Sequence, residues 1–140
     1  MTAKAAPHVL VVDDEPDLCE LIAEGLRAAG LQVSCAKDAT EARQAIDQGD
    51  LIDAAIIDVV MPGEMGASLA EHIHSLGVPI VLISGNHDAM EQEVLEHIPC
   101  VRVAKPFQIA EVTSAVRAAM ASAGVLSDRA APVRLSGDAS

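Results

Sequence analysis

The feature that most constrains this chain is a regular change of hydrophobic period. Short β-branched runs take turns with stretches whose apolar residues recur every three or four positions. The runs are "HVLVV" (His8 to Val12), "LQVSCA" (Leu31 to Ala36), "DAAIID" (Asp53 to Asp58), "VPIVLIS" (Val78 to Ser84) and "CVRVA" (Cys100 to Ala104). Leu18, Leu21, Ile22 and Leu26 share one helical face between Asp17 and Ala29, and Gly30 is placed to stop that helix. Asp38 with Glu41 resembles a capping box before a helix ending near Gln48. Leu69, Ile73 and Leu76 face a third helix ended by Gly77, and Met90, Val94, Leu95 and Ile98 a shorter fourth. Ile109, Val112, Val116 and Met120 line the last. Five strands alternating with five helices imply βαβ units, hence a doubly wound α/β fold with a parallel sheet covered on both faces.

A length of 140 residues suits one such domain, and no apolar run approaches the roughly 18 residues of a membrane span. The first residues, "MTAKAAPHVLVV", make a poor signal peptide, because the apolar run stops at an aspartate pair. The expected protein is soluble and cytoplasmic, with no membrane partner. A net charge of −12 repels a phosphate backbone, and one Phe without Trp or Tyr offers no base-stacking platform, so no nucleic-acid partner is expected. Cys19, Cys35 and Cys100 are widely spaced in sequence and read as reduced thiols acting as small hydrophobes. Residues 1–6 read as an N-terminal tail, 7–123 as the domain, and 124–140, rich in Gly, Ser, Pro and Ala, as a mobile C-terminal tail.

The polar residues fall where the strands end. The first strand runs into Asp13 and Asp14, the third ends in Asp58, the fourth in Ser84, and the fifth in Lys105. In an open parallel sheet all carboxyl ends share one rim, where ligands bind beside the topological switch point. Carboxylates about 5 Å apart repel by roughly 3 kcal/mol per pair at an effective dielectric near 20, so such a cluster calls for a cation. Oxygen ligands alone suit a hard ion, Mg²⁺ first and Mn²⁺ as its alternative. With Lys105 as a fixed positive charge and Ser84 as a hydroxyl donor, the rim suits a phosphoryl group, and Asp58 is placed to carry it as an acyl phosphate. The histidines are read as solvated or satisfied: His72 and His74, two apart on a helix, cannot face one metal together. No GxxxxGK or GxGxxG supports a nucleotide site.

"VLVVDDE", "AAIIDVVMPG", "VPIVLISG" and "VAKPF", in this order and spacing, resemble the receiver domain of two-component response regulators over about residues 7 to 122. The resemblance implies a flavodoxin-like (βα)5 fold with strand order 2-1-3-4-5. It implies that Asp13 and Asp14 hold Mg²⁺ together with Asp58 and the backbone carbonyl of Val60. Asp58 would be the phosphoacceptor, Ser84 and Lys105 would bind phosphoryl oxygens, and the peptide before Pro106 would be cis. The donor would be a sensor histidine kinase or a histidine phosphotransfer protein. Ser84 would act as a switch residue, drawing the following loop inward. The second switch position, usually aromatic or His in the family, is Arg102 here, so coupling through a rotating ring is not carried over.

With no output domain expected after the tail, the chain reads as a stand-alone receiver, a monomer or weak homodimer. It would signal to a downstream protein by contact through the fourth helix, fifth strand and fifth helix. It is expected to be a switch with slow self-dephosphorylation, not a metabolic enzyme. Two other readings compete. One is an aspartyl-phosphate hydrolase of the haloacid dehalogenase type, which usually has a second Asp where Val60 stands, together with a cap domain. The other is a receiver that binds its partner without being phosphorylated.

Overall fold

The computed structural model describes residues 6–49, 51–58, 66–84 and 98–122. Its elements in chain order are β1 (His8–Val12), α1 (Pro16–Ala28), β2 (Gln32–Ala36), α2 (Ala39–Asp47), β3 (Ala54–Asp58), α3 (Gly66–Ser75), β4 (Ile80–Ser84), β5 (Val101–Ala104) and α4 (Ile109–Ser122). The helix expected over Met90, Val94 and Leu95 lies outside the described residues, as do the two tails apart from Ala6, so α4 is the helix the sequence places fifth.

The strands form one parallel sheet in the order β2-β1-β3-β4-β5, the order that the resemblance implies. Register is continuous across the centre, with Val11 opposite Cys35 on one side and Ile56 on the other. Alternation then sorts the side chains into two layers. Leu10, Val12, Ala55, Ile57, Ile80 and Leu82 face α2 and α3, where Ala39, Ala42, Leu69, Ala70 and Ile73 meet them. Val9, Val11, Ile56, Val81, Ile83 and Val103 face α1 and α4, meeting Ile22, Leu26, Val112, Val116 and Met120. The central strands are therefore apolar on both faces, which a parallel sheet between helices requires.

The helix boundaries have local causes. Pro16 opens α1 at a position where the missing N–H costs nothing, and Asp17 complements the positive end of the helix. Asp38 caps α2 by accepting the Glu41 N–H at 2.9 Å, while Glu41 reaches back to the Lys37 N–H rather than to that of the cap residue. Gly30 and Gly77 follow their helices at φ of 92° and 82°, a conformation that other residues adopt at a cost.

Two expected core residues are corrected. Leu21 and Leu76 are both half-exposed, at 50%. The buried stripe of α1 runs through Cys19, Ile22, Ala23 and Leu26, and that of α3 includes Ala70. Cys19, Ala23 and Ala70 share these stripes with Ile22, Leu26, Leu69 and Ile73, and Leu21 and Leu76 stand at their edges.

The foot of β1 is pinned. The His8 N–H donates to Asp53 Oδ2 at 2.8 Å, and the Asp53 N–H donates back to the His8 carbonyl at 2.7 Å. The His8 ring bridges the Leu51 carbonyl and Ser34 Oγ. Among the described residues no helix is long and apolar enough to cross a membrane.

Candidate functional site

At the opposite end of β1, Asp13 continues the strand by one residue, and its N–H donates to the Ala36 carbonyl at 3.0 Å. Its carboxylate is buried, at 2% exposure. Oδ1 accepts the Glu15 N–H at 2.9 Å, which braces the turn into α1. Oδ2 is buried without a hydrogen-bond partner among the described residues. A buried carboxylate oxygen without a hydrogen bond is costly to leave in protein.

Asp58, the last residue of β3, is buried at 3%. Its Oδ2 receives the Lys105 ammonium at 2.9 Å, an ion pair made from the end of one strand to the residue after another. Asp14 is exposed beside them, and Asp13, Asp14 and Asp58 can each offer an oxygen within 4.8 Å of the others. The Lys105–Pro106 peptide is cis.

The electrostatics reflect this crowding. Burial pushes the Asp13 carboxyl up to about 6. The bond from Glu15 and the Lys105 charge oppose that rise, while Asp58 and Asp14 add to it. For Lys105, burial alone would lower the pKa, but its hydrogen bond and charge attraction to Asp58, with Asp13 and Glu15 behind them, raise it above the usual lysine value. Among the described residues the rim thus brings three aspartates and one ammonium together, a donor set that a hard divalent cation would complete. The orphaned Asp13 oxygen fits the same group.

A profile of the family described as "Response regulator receiver domain" matches residues 9–117. The chain belongs to this family. It is a response regulator receiver domain of a two-component system. Receiver domains are phosphoacceptor switches rather than true enzymes, and they typically bind Mg²⁺ at an acidic cluster.

Transcriptional regulatory protein PrrA of Mycobacterium tuberculosis is 30% identical over 126 residues, covering 88% of this chain and 54% of PrrA. Transcriptional regulatory protein AruR of Pseudomonas aeruginosa is 34% identical over 131 residues, covering 84% of this chain and 54% of AruR. The receiver chain thus spans about half the length of these curated relatives. Among solved structures, a response regulator receiver protein from Pseudomonas putida is 28% identical with a TM-score of 0.74, covering 83% of this chain and 99% of that one. A CheY-like receiver domain protein from Methanospirillum hungatei, at 20% identity and a TM-score of 0.77, covers 84% of this chain and 96% of that one and shares the fold.

Of the site residues expected from sequence, the receiver fold brings Asp13, Asp14, Asp58 and Lys105 together at one rim. Ser84 is the last residue of β4, opposite Ala104 in the register, and its side chain lies outside the description. Val60 lies outside the described residues altogether. Arg102 is exposed within β5, beside a groove of about 640 Å³ that Pro106, Ala110 and Glu111 of the α4 side also line. The sequence reading passed over Glu15. It is the N-cap of α1, makes no side-chain cap bond, and adds its charge to those that hold Lys105 protonated. Its only sequence signal was its place directly after the aspartate pair.

Proposed function

We propose that Asp58 is the phosphoacceptor of this receiver and takes a phosphoryl group from a histidine of a sensor kinase or phosphotransfer protein. The observation that carries this reading is the 2.9 Å contact of Lys105 Nζ with Asp58 Oδ2, on a rim where Asp13 keeps an unpartnered oxygen. A carboxylate oxygen of Asp58 attacks phosphorus, the bond from phosphorus to the donor imidazole breaks, and the imidazole nitrogen leaves with its electron pair. Lys105 holds the carboxylate in place beforehand and meets the phosphoryl oxygens afterwards, so the positive charge stays where negative charge accumulates. Asp13, Asp14 and Asp58, with the carbonyl of Val60, would hold Mg²⁺, or Mn²⁺ in its place. When bound, the ion supplies charge neutralisation for an incoming phosphoryl group. Ser84 is assigned a hydrogen bond to a phosphoryl oxygen.

Modification brings close to two negative charges to a rim that is already acidic. We assign the output to the surface of β5 and α4, together with the fourth helix expected from sequence, which lies outside the described residues. Arg102 and Glu111 give that surface a polar, charged character rather than a ring-based one. Several relatives are transcriptional regulatory proteins, whereas a net charge of −12 on this chain favours contact with a basic protein face. The chain is proposed to act by contact, as a monomer or weak dimer. Intact-mass analysis after acetyl phosphate with Mg²⁺ tests the assignment: the wild type should gain one phosphoryl group and Asp58→Asn none. Equal labelling of both would overturn it, and steady release of phosphate from small phosphoesters would point to a hydrolase instead.

A further inference from the structure

Cys19 and Cys35, sixteen residues apart in sequence, meet in the layer between α1 and the sheet. Val11 is the reference point. Cys35 is its register partner on the edge strand β2, so both side chains point to the same face. On that face the Cys19 thiol donates to the Val11 carbonyl at 3.7 Å. The Cys35 thiol donates to the Cys19 carbonyl, also at 3.7 Å, which sets it against the backbone of the residue that carries the other thiol. Their exposures differ. Cys19 is buried at 4%, whereas Cys35 is open to solvent. Burial, followed by the Cys35 thiol beside it, pushes the Cys19 thiol up, so Cys35 is the one that meets an oxidant first. Cys100 stands elsewhere, packed against the layer on the other side of the sheet.

We propose that Cys19 and Cys35 form a reversible disulfide, a peroxide-responsive modification site that ties α1 to the edge strand β2. The Cys35 sulfur attacks one oxygen of a peroxide, the O–O bond breaks, and Cys35 becomes a sulfenic acid as hydroxide leaves and is protonated to water. The Cys19 sulfur then attacks the Cys35 sulfur, the S–O bond breaks, and the departing hydroxide takes up the Cys19 proton as a second water. Two thiols are oxidised to one disulfide, and one hydrogen peroxide is reduced to two waters. A buried resolving thiol next to an exposed attacking one favours the internal bond over a bond to a second molecule. The bond closes at the end of β2, whose Ala36 carbonyl receives the Asp13 N–H, yet its formation does not depend on any phosphoacceptor role for Asp58.

Trypsin separates the three cysteines, because Lys4, Arg27, Lys37, Arg43 and Arg102 place Cys19 in Ala5–Arg27, Cys35 in Ala28–Lys37 and Cys100 in Gln44–Arg102. The full chain is treated with hydrogen peroxide, its remaining thiols are alkylated in denaturant, and it is digested without reductant. The expected product joins the Cys19 and Cys35 peptides within a monomer, leaves Cys100 alkylated, and disappears with dithiothreitol. Cys100→Ser should give the same product. Cys19→Ser should leave a Cys35 sulfenic acid that dimedone traps. The proposal is overturned by a Cys35-to-Cys35 link between two chains, by a link to Cys100, or by irreversible oxidation of Cys35 while Cys19 is alkylated.

Discussion

Asp13 carries one oxygen that is held and one that is not, and this asymmetry sets its titration. Its carboxyl is pushed from 3.8 up to about 6, chiefly by burial. Between these two values the folded protein keeps a proton that the unfolded chain has released, so stability falls as pH rises through that window. The full effect is roughly 2 to 3 kcal/mol in the absence of a divalent cation. Asp13→Asn should therefore raise stability by about 1 to 3 kcal/mol at pH 7 and by much less at pH 4, as read from urea midpoints in the presence of a chelator. A pH-independent difference would show that ionisation of Asp13 is not the cause. Lys105→Gln should act in the opposite direction. It removes the Lys105 ammonium from Asp58 and the neighbouring aspartates, at a cost of about 1 to 3 kcal/mol, because the lysine is partly solvated. If Lys105→Gln left the urea midpoint unchanged in the same buffer, the ion pair would carry no net stability.

The contact between α1 and α4 depends on Gly25. A methyl group at that position would fall on Ile109 Cγ2, so the two helices approach where one of them lacks a side chain. Alanine ordinarily stabilises a helix interior by about 1 kcal/mol over glycine. Here Gly25→Ala should instead destabilise by about 1 to 2 kcal/mol, because the overlap must be relieved by moving a packed helix. Combined with Ile109→Ala, which deletes the colliding methyl, the alanine should regain its usual advantage, and additivity in that double-mutant cycle would refute the close approach. The elements themselves were legible in the sequence, since strand and helix periods differ and Gly30 and Gly77 mark the stops. What period alone could not rank was the line of closest packing. Leu21 and Leu76 satisfy a helical spacing yet sit half out, because Cys19, Ala23 and Ala70 are small enough to let the helices near the sheet. The Gly25–Ile109 approach and the Cys19–Cys35 meeting were hidden for a related reason: both join positions that only the tertiary fold makes neighbours.

Over the whole molecule, the excess of acid has a general part and a local part. Ordinary salt screens the general repulsion of a chain at −12, whereas a divalent ion also meets the rim carboxylates. At equal ionic strength MgCl₂ should raise the urea midpoint more than NaCl, and Asp58→Asn should remove most of the difference. Equal effects of the two salts would leave only screening. The placement of strand ends at one rim was readable from sequence because parallel topology sends every carboxyl end the same way. The unpartnered Asp13 oxygen was not, since it depends on how Glu15 turns into α1. The site also hangs from β1, which like β3 has four wholly buried residues and a neighbour on each side, and whose foot is pinned by His8 and Asp53. In hydrogen-exchange terms β1 should hold the slowest amides of the chain, opening only with global unfolding. The acidic rim is thus anchored to the part of the molecule that opens last, whereas Lys105 follows the edge strand β5, so fraying there would withdraw the ammonium from carboxylates that stay together.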